Sequence, residues 1–340
     1  MNLIRVRLQT AVQSAMISAM VLVGALASPA AGQNVLATIP IPAASAGQIA
    51  VDPAINMIYA GGGPNANSLT IIDGSNFTIV TTISPSAGVS SDMKNDNFWA
   101  GSLTAGNVTA YSGDSNTPIF STSVGSCPAA VTFDCSKRRM WVASQCGSGN
   151  DPVWAFDANK LALIKGPIVP SGAITQPPVV SPNTGKLYVT SGGVSREINP
   201  TSFAVSNTKF GTVLAIDSNT NKLFATSGDN LQIIAGHSEA ISKTVTLTYT
   251  PAGIGVNNAM AHVYLLNPGG NSIDIYSETG KLISTIVLGS NSQPTSLAVD
   301  SARGRMFVDV LNTASNSWSV EVIEDLSTVR ICGFPGSCDY

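Results

Sequence analysis

The sequence predicts an all-β protein: a ring of seven four-stranded antiparallel blades, closed by a strand from the N-terminus. Three observations predict it. An aromatic residue closes a short β-prone run at Tyr59, Trp99, Trp141, Tyr188, Phe224, Tyr264 and Phe307, at intervals of 36–47 residues. Seven positions before each stands a turn-forming residue: Asp52, Asp92, Asp134, Ser181, Asp217, Asn257 and Asp300. Short polar side chains of this kind bond nearby backbone and start turns. Finally, only 11% of the 340 residues are charged while 44% are hydrophobic, against roughly 25% charged in an ordinary soluble domain. A unit of about forty residues, with turns between short apolar strands, is the pattern of a β-propeller blade. Such a sheet buries both faces against its neighbours, so its strands carry little charge.

The first copy shows the unit most clearly. Strands are predicted at 48–51, 57–60, 69–73 and 78–83, separated by the turn 52–56, the Gly/Asn-rich loop 61–67 and the turn 74–76. The seventh copy lacks a clear fourth strand after 320–323. The segment 35–41 is spare and is expected to supply it. An open ring would leave an unpaired edge, which gives closure a physical motive. The alternative is a native fourth strand around Ile331.

The ends of the chain read differently. Residues 1–32 are expected to be a secretory signal: Arg5 and Arg7 precede an apolar run over 15–27, followed by the small residues Ser28-Pro29-Ala30-Ala31-Gly32. The run is short and rich in Ala and Ser for a membrane span, although a retained anchor is the alternative. No second apolar run of about 18 residues follows, so no span is expected once the signal is removed. Residues 33–328 form the propeller and 329–340 a cysteine-containing tail.

Export permits disulfides. Facing residues across the hairpin predicted in the third blade have numbers with a constant sum near 273. Cys127 and Cys146 satisfy it, so a cross-strand bridge is expected there. A local bridge is expected between Cys332 and Cys338, which leaves Cys135 unpaired in a turn. Metal binding is the alternative, but these spacings are not those of zinc sites.

The segment Ile49-Ala50-Val51-Asp52-Pro53, with Ile58-Tyr59-Ala60, Leu69-Thr70-Ile71-Ile72-Asp73 and Ile79-Val80-Thr81-Thr82-Ile83, resembles a repeat of the YVTN family of β-propellers. Leu187-Tyr188-Val189-Thr190 is similar to the motif that names the family. The resemblance covers about residues 34–328. It implies the propeller fold. It leaves function open, because that wider group includes exported binding proteins, lactonase-like hydrolases and surface-layer components.

The innermost strands line the channel of a propeller. The segments expected there are 48–51, 89–91, 129–133, 178–180, 212–216, 252–256 and 295–299, and none contains Asp, Glu, His, Lys, Arg or Cys. Hydrolysis needs a general base, an activated nucleophile or a metal, and such walls supply none. Candidate ligand-binding residues are therefore hydrogen-bonding groups at the channel mouth, Gln48, Ser90, Gln176, Thr212 and Gln293, with Asp151 and Asp229 from nearby loops. No catalytic residue, cofactor or metal is expected. His237 and His262 are expected on the surface of the opposite, turn face. Lys137-Arg138-Arg139 reads as a solvated turn tip, with a phosphate or acidic-polymer contact as the alternative. The repeat aromatics read as packing and not as a carbohydrate platform. No GxSxG elbow is present, and Gly61-Gly62-Gly63 joins two strands, so it is no phosphate cradle.

The expected protein is an exported monomeric scaffold that binds a protein, peptide or envelope glycan. A net charge of −3 gives no basic field for nucleic acid. The rival readings are a lactonase-like hydrolase and a structural surface-layer component.

Overall fold

The computed structural model describes residues 33–42, 47–62, 68–84, 87–125, 127–147 and 149–325. Among them are 28 strands in seven four-stranded antiparallel sheets. In blade 1 the order from the axis outward is Ile49–Asp52, Met57–Gly61, Leu69–Asp73 and Thr78–Ile83. Each innermost strand touches that of the next blade, and the seventh touches the first. The signal-like segment and the tail, including Cys332 and Cys338, lie outside the described residues.

The ring closes as expected. Blade 7 consists of Ser292–Asp300, Arg305–Asn312 and Ser317–Asp325, and its outer strand is Gln33–Ile41 from the N-terminus. The register runs from Gln33 opposite Asp325 to Ile41 opposite Trp318. The first and last described strands are thus hydrogen-bonded neighbours, and Ser317–Asp325 has no open edge.

Seven core clusters fill the seven seams between blades, and each contains one repeat aromatic. Tyr59 packs with Val89 and Phe98 of blade 2, Trp141 with Leu187 and Val189 of blade 4, and Phe307 with Ile49 and Ile58 of blade 1. The expected packing role holds for all seven. Burying such a side chain removes up to 150–250 Å² from water, which explains why the position is always aromatic.

The turn residues cap the first hairpin of each blade from within. Asp52, Asp134 and Asp217 accept backbone N–H bonds from Ala54, Ser136 and Asn219 at 3.0, 3.0 and 2.6 Å. Ser181, lacking a carboxylate, accepts Gly185 N–H on its carbonyl at 2.7 Å. Four residues after each cap the backbone is left-handed, at Asn56, Asp96, Arg138, Gly185, Asn221, Ala261 and Gly304. That conformation favours Gly and Asn, which occupy four of the seven positions.

In blades 3 to 7 the next residue, five after the cap, reaches into the following blade. Arg139 donates to Pro200 O at 2.7 Å, Lys186 to Glu239 Oε1 at 2.7 Å and Lys222 to Glu278 Oε2 at 2.8 Å. His262 Nδ1 lies 2.7 Å from Asp325 Oδ2, and Arg305 donates to Gly74 O at 3.3 Å. These contacts tie the turn face together seam by seam. They correct two expectations. Lys137 is exposed as expected, but Arg138, 3.6 Å from Asp92 of blade 2, and Arg139 are half-buried inter-blade clamps and not solvated tips: Arg139 also lies over the Trp141 and Phe203 rings at 5.2 and 5.1 Å. His262 is buried against Asp325 and not on the surface, because its blade position is one of these clamps. His237 is exposed as expected.

Cys127 and Cys146 form a disulfide with Cα atoms 5.3 Å apart. Cys135 is not unpaired as expected. It is also disulfide-bonded. The 19-residue separation of Cys127 and Cys146 predicts that replacing both with serine lowers stability by about 3 kcal/mol, from the loop closure lost in the unfolded chain. Non-reducing digestion should yield the linked Cys127–Cys146 peptide. Free thiols at both positions would refute the bridge.

Candidate functional site

A cavity of about 470 Å³ lies on the ring axis, and all seven blades contribute to its wall. Its rim is made by residues just before the inner strands, such as Gly47, Ala87 and Gln176. The cavity therefore belongs to the connector face, opposite the clamped turns. None of its lining residues is ionisable.

The wall divides by chemistry. Blades 1 to 4 and blade 7 present hydroxyl and amide side chains. Blades 5 and 6 present Leu214, Ala252, Gly253 and Ile254. Small-molecule sites combine these features, an apolar wall and a few placed polar groups, at volumes of about 300–1,000 Å³.

Gln48, Ser90 and Gln176 line the cavity together. Two of these are engaged with inner-strand backbone. The Gln48 amide reaches across to blade 3, where Nε2 donates to Val131 O at 2.7 Å and Oε1 accepts Val131 N–H at 3.0 Å. Ser90 Oγ accepts Phe133 N–H at 3.1 Å. The innermost strand of a blade has one edge facing the axis, and these side chains satisfy its backbone groups. Blade 2 permits this by packing close to blade 3: a Cβ on Gly88 would collide with the Ala129 carbonyl.

The other candidates lie elsewhere. Thr212 is half-buried at the start of the blade 5 inner strand, where Leu214 forms the wall instead. Gln293 lies in the early part of the blade 7 inner strand, opposite Leu311. Asp151 is buried and accepts Ile174 N–H on Oδ2 at 2.8 Å, fixing the connector between blades 3 and 4. Asp229 is exposed and accepts from the Thr250 hydroxyl.

One group beside the cavity was not among the sequence candidates. Asp309, on the second strand of blade 7, is directly opposite the wall residue Ser296 and only 1% exposed. Ser296 Oγ donates to its Oδ2 at 2.8 Å, and Thr295 Oγ1 donates to its backbone carbonyl at 3.0 Å. Oδ1 has no hydrogen-bond partner, and burial raises the carboxyl to about 7. This acid lies inside the sheet, on a second strand and not in a turn. The signal was present: a lone acid in the run Met306-Phe307-Val308-Asp309-Val310. Among the described residues, no group of three or more Cys, His, Asp or Glu is placed to hold a metal ion.

Set against known proteins, the chain matches no family model and no curated protein. Its class rests on geometry: it is a seven-bladed β-propeller whose axial cavity opens among the connectors.

Burial also raises Asp52 to about 6. In both acids the folded state holds the proton more tightly than the unfolded chain does. Their contribution to stability is complete below about pH 4 and is lost as pH rises through 6 to 7. Asp309→Asn is expected to flatten this slope and to raise stability at pH 8 by about 3–4 kcal/mol. Thermal and urea unfolding between pH 4 and 8 measures both. A variant less stable than the parent at pH 8 would contradict the buried-acid account.

Proposed function

We propose that the protein is an exported binding propeller that takes its ligand in the axial cavity at the connector face. The observation that carries this reading is the cavity itself: about 470 Å³, walled by every blade, with no ionisable lining residue. Such a wall offers shape and hydrogen bonds, which suit recognition. Acid–base or nucleophilic hydrolysis would need a group that this wall does not provide.

The disulfides support an oxidising compartment outside the cytoplasm, as does the signal-like segment 1–32. No helix among the described residues is long and apolar enough to cross a membrane. The repeat motifs support reading the chain as one of the YVTN group. The ligand is a protein, a peptide or an envelope glycan, bound without a cofactor by a monomer.

Hydrogen exchange of the full chain, with and without envelope polymers or extracts, tests the assignment. Protection is expected in the inner strands and connectors, and Ala252→Trp, which fills the apolar wall, should abolish it without lowering the melting temperature by more than a few degrees. Protection confined to the turn face would overturn the reading. Hydrolytic turnover of lactones by the parent and not by Ala252→Trp would favour the hydrolase instead.

A further inference from the structure

Resting on the reading above, we propose that the cavity recognises its ligand through a primary ammonium group, seated on the Ser296 and Thr295 hydroxyls with the Asp309 carboxylate behind them. The hydrogen-bond inventory of the wall points there. Thr132 donates its hydroxyl hydrogen to Pro178 O at 2.7 Å, Thr295 to Asp309 O at 3.0 Å and Ser296 to Asp309 Oδ2 at 2.8 Å. Each hydroxyl then has only oxygen lone pairs left to offer. The Gln48 amide is committed on both sides to Val131. No lysine, arginine or histidine lines the cavity. The blade 7 part of the wall, at Thr295 and Ser296, thus presents acceptors alone, with no cation among the lining residues, and suits a donor better than an anion.

Asp309 supplies the charge. It lies one side chain behind the wall, and Oδ1 has no hydrogen-bond partner. The groups facing it are neutral. Its cross-strand row is Ser296, Val320 and, beyond Val320, Ile39. The same face packs on Ile49, Ile58 and Ala60 of blade 1. No ion pair joins Asp309 among the described residues. An ionised Asp309 is thus a buried charge without a counter-ion, a costly state in a dry site. A ligand ammonium about two hydrogen bonds away would relieve it. The ammonium has two sources, a free amine or a lysine side chain of a partner chain. The apolar wall at Leu214 and Ile254 suits the alkyl stem of either.

Calorimetry or NMR titration of the full chain tests the proposal. The probes are n-pentylammonium, pentanol and pentanoate. A capped Gly-Lys-Gly peptide and its norleucine counterpart serve as the second arm. At pH 8.5 pentylammonium is expected to bind about tenfold tighter than pentanol, or about 1.4 kcal/mol, and pentanoate weakest. Asp309→Asn should erase that preference, bringing pentylammonium and pentanol to within about twofold of each other. Because Asp309 titrates near 7, the parent alone should lose its ammonium preference at pH 5.5, which needs no variant to fold.

A lysyl peptide that binds tighter than pentylammonium assigns the group to a partner side chain, and exclusion of the peptide assigns it to a free amine. Equal binding of the three small probes, or a preference that persists in Asp309→Asn or at pH 5.5, would overturn the proposal. In that case pentanol-induced exchange protection at the inner strands would leave the cavity reading standing, and its absence would sink both.

Discussion

The structure depends on the seam between neighbouring blades. A four-stranded sheet of this size cannot stand alone in water, because both faces are apolar. It becomes stable only when each face is covered, and in a ring the next blade always does the covering. One aromatic residue per blade is a fixed part of each seam. Tyr59 meets blade 2, Trp141 meets blade 4, and Phe307 returns the contact to blade 1. The last seam would fail if the chain simply ran out of strands. Pairing of Gln33–Ile41 with Ser317–Asp325 ties the two ends of the ring together through one sheet.

The same constraint shapes the site. Seven inner strands around one axis bring seven sets of backbone groups to a narrow channel. These groups need partners, and other blades supply them as Gln48, Ser90 and Thr132. Polarity on the axis is therefore first an answer to the ring's own hydrogen-bonding demand. What is left over is a polar, uncharged wall with an acid concealed behind one part of it. The turn face has a different task. Its cations and His262 lock successive blades together, so the charge there is consumed by the seams. On the proposed reading, recognition is left to the connector face.

The fold was readable from residues because its determinants are local and repeated. An Asp or Asn cap and an aromatic seven residues later lie within one hairpin, so their spacing survives in the sequence. The site was only partly readable. Gln48, Ser90 and Gln176 line one cavity, and each lies in or just before the inner strand of its repeat. The partner of Gln48 belongs to blade 3, though, and sequence offers no sign of a bond that reaches across the axis. The clamps were missed for the same reason. Lys186 and Glu239, or His262 and Asp325, are far apart in the chain and meet only once the ring exists. Asp309 was visible as an acid in an apolar strand. Its place behind Ser296 follows from the pairing register, which composition does not encode.

The central claim is that recognition occurs at the connector end of the axis. Site-specific photo-cross-linking tests it most directly. A benzophenone amino acid placed at Gln176, on the cavity rim, should form an adduct with the bound partner in envelope extracts. The same group at Asn159, exposed on the turn face, should form none. Adducts from Asn159 with none from Gln176 would place the interaction on the clamped face and contradict the account.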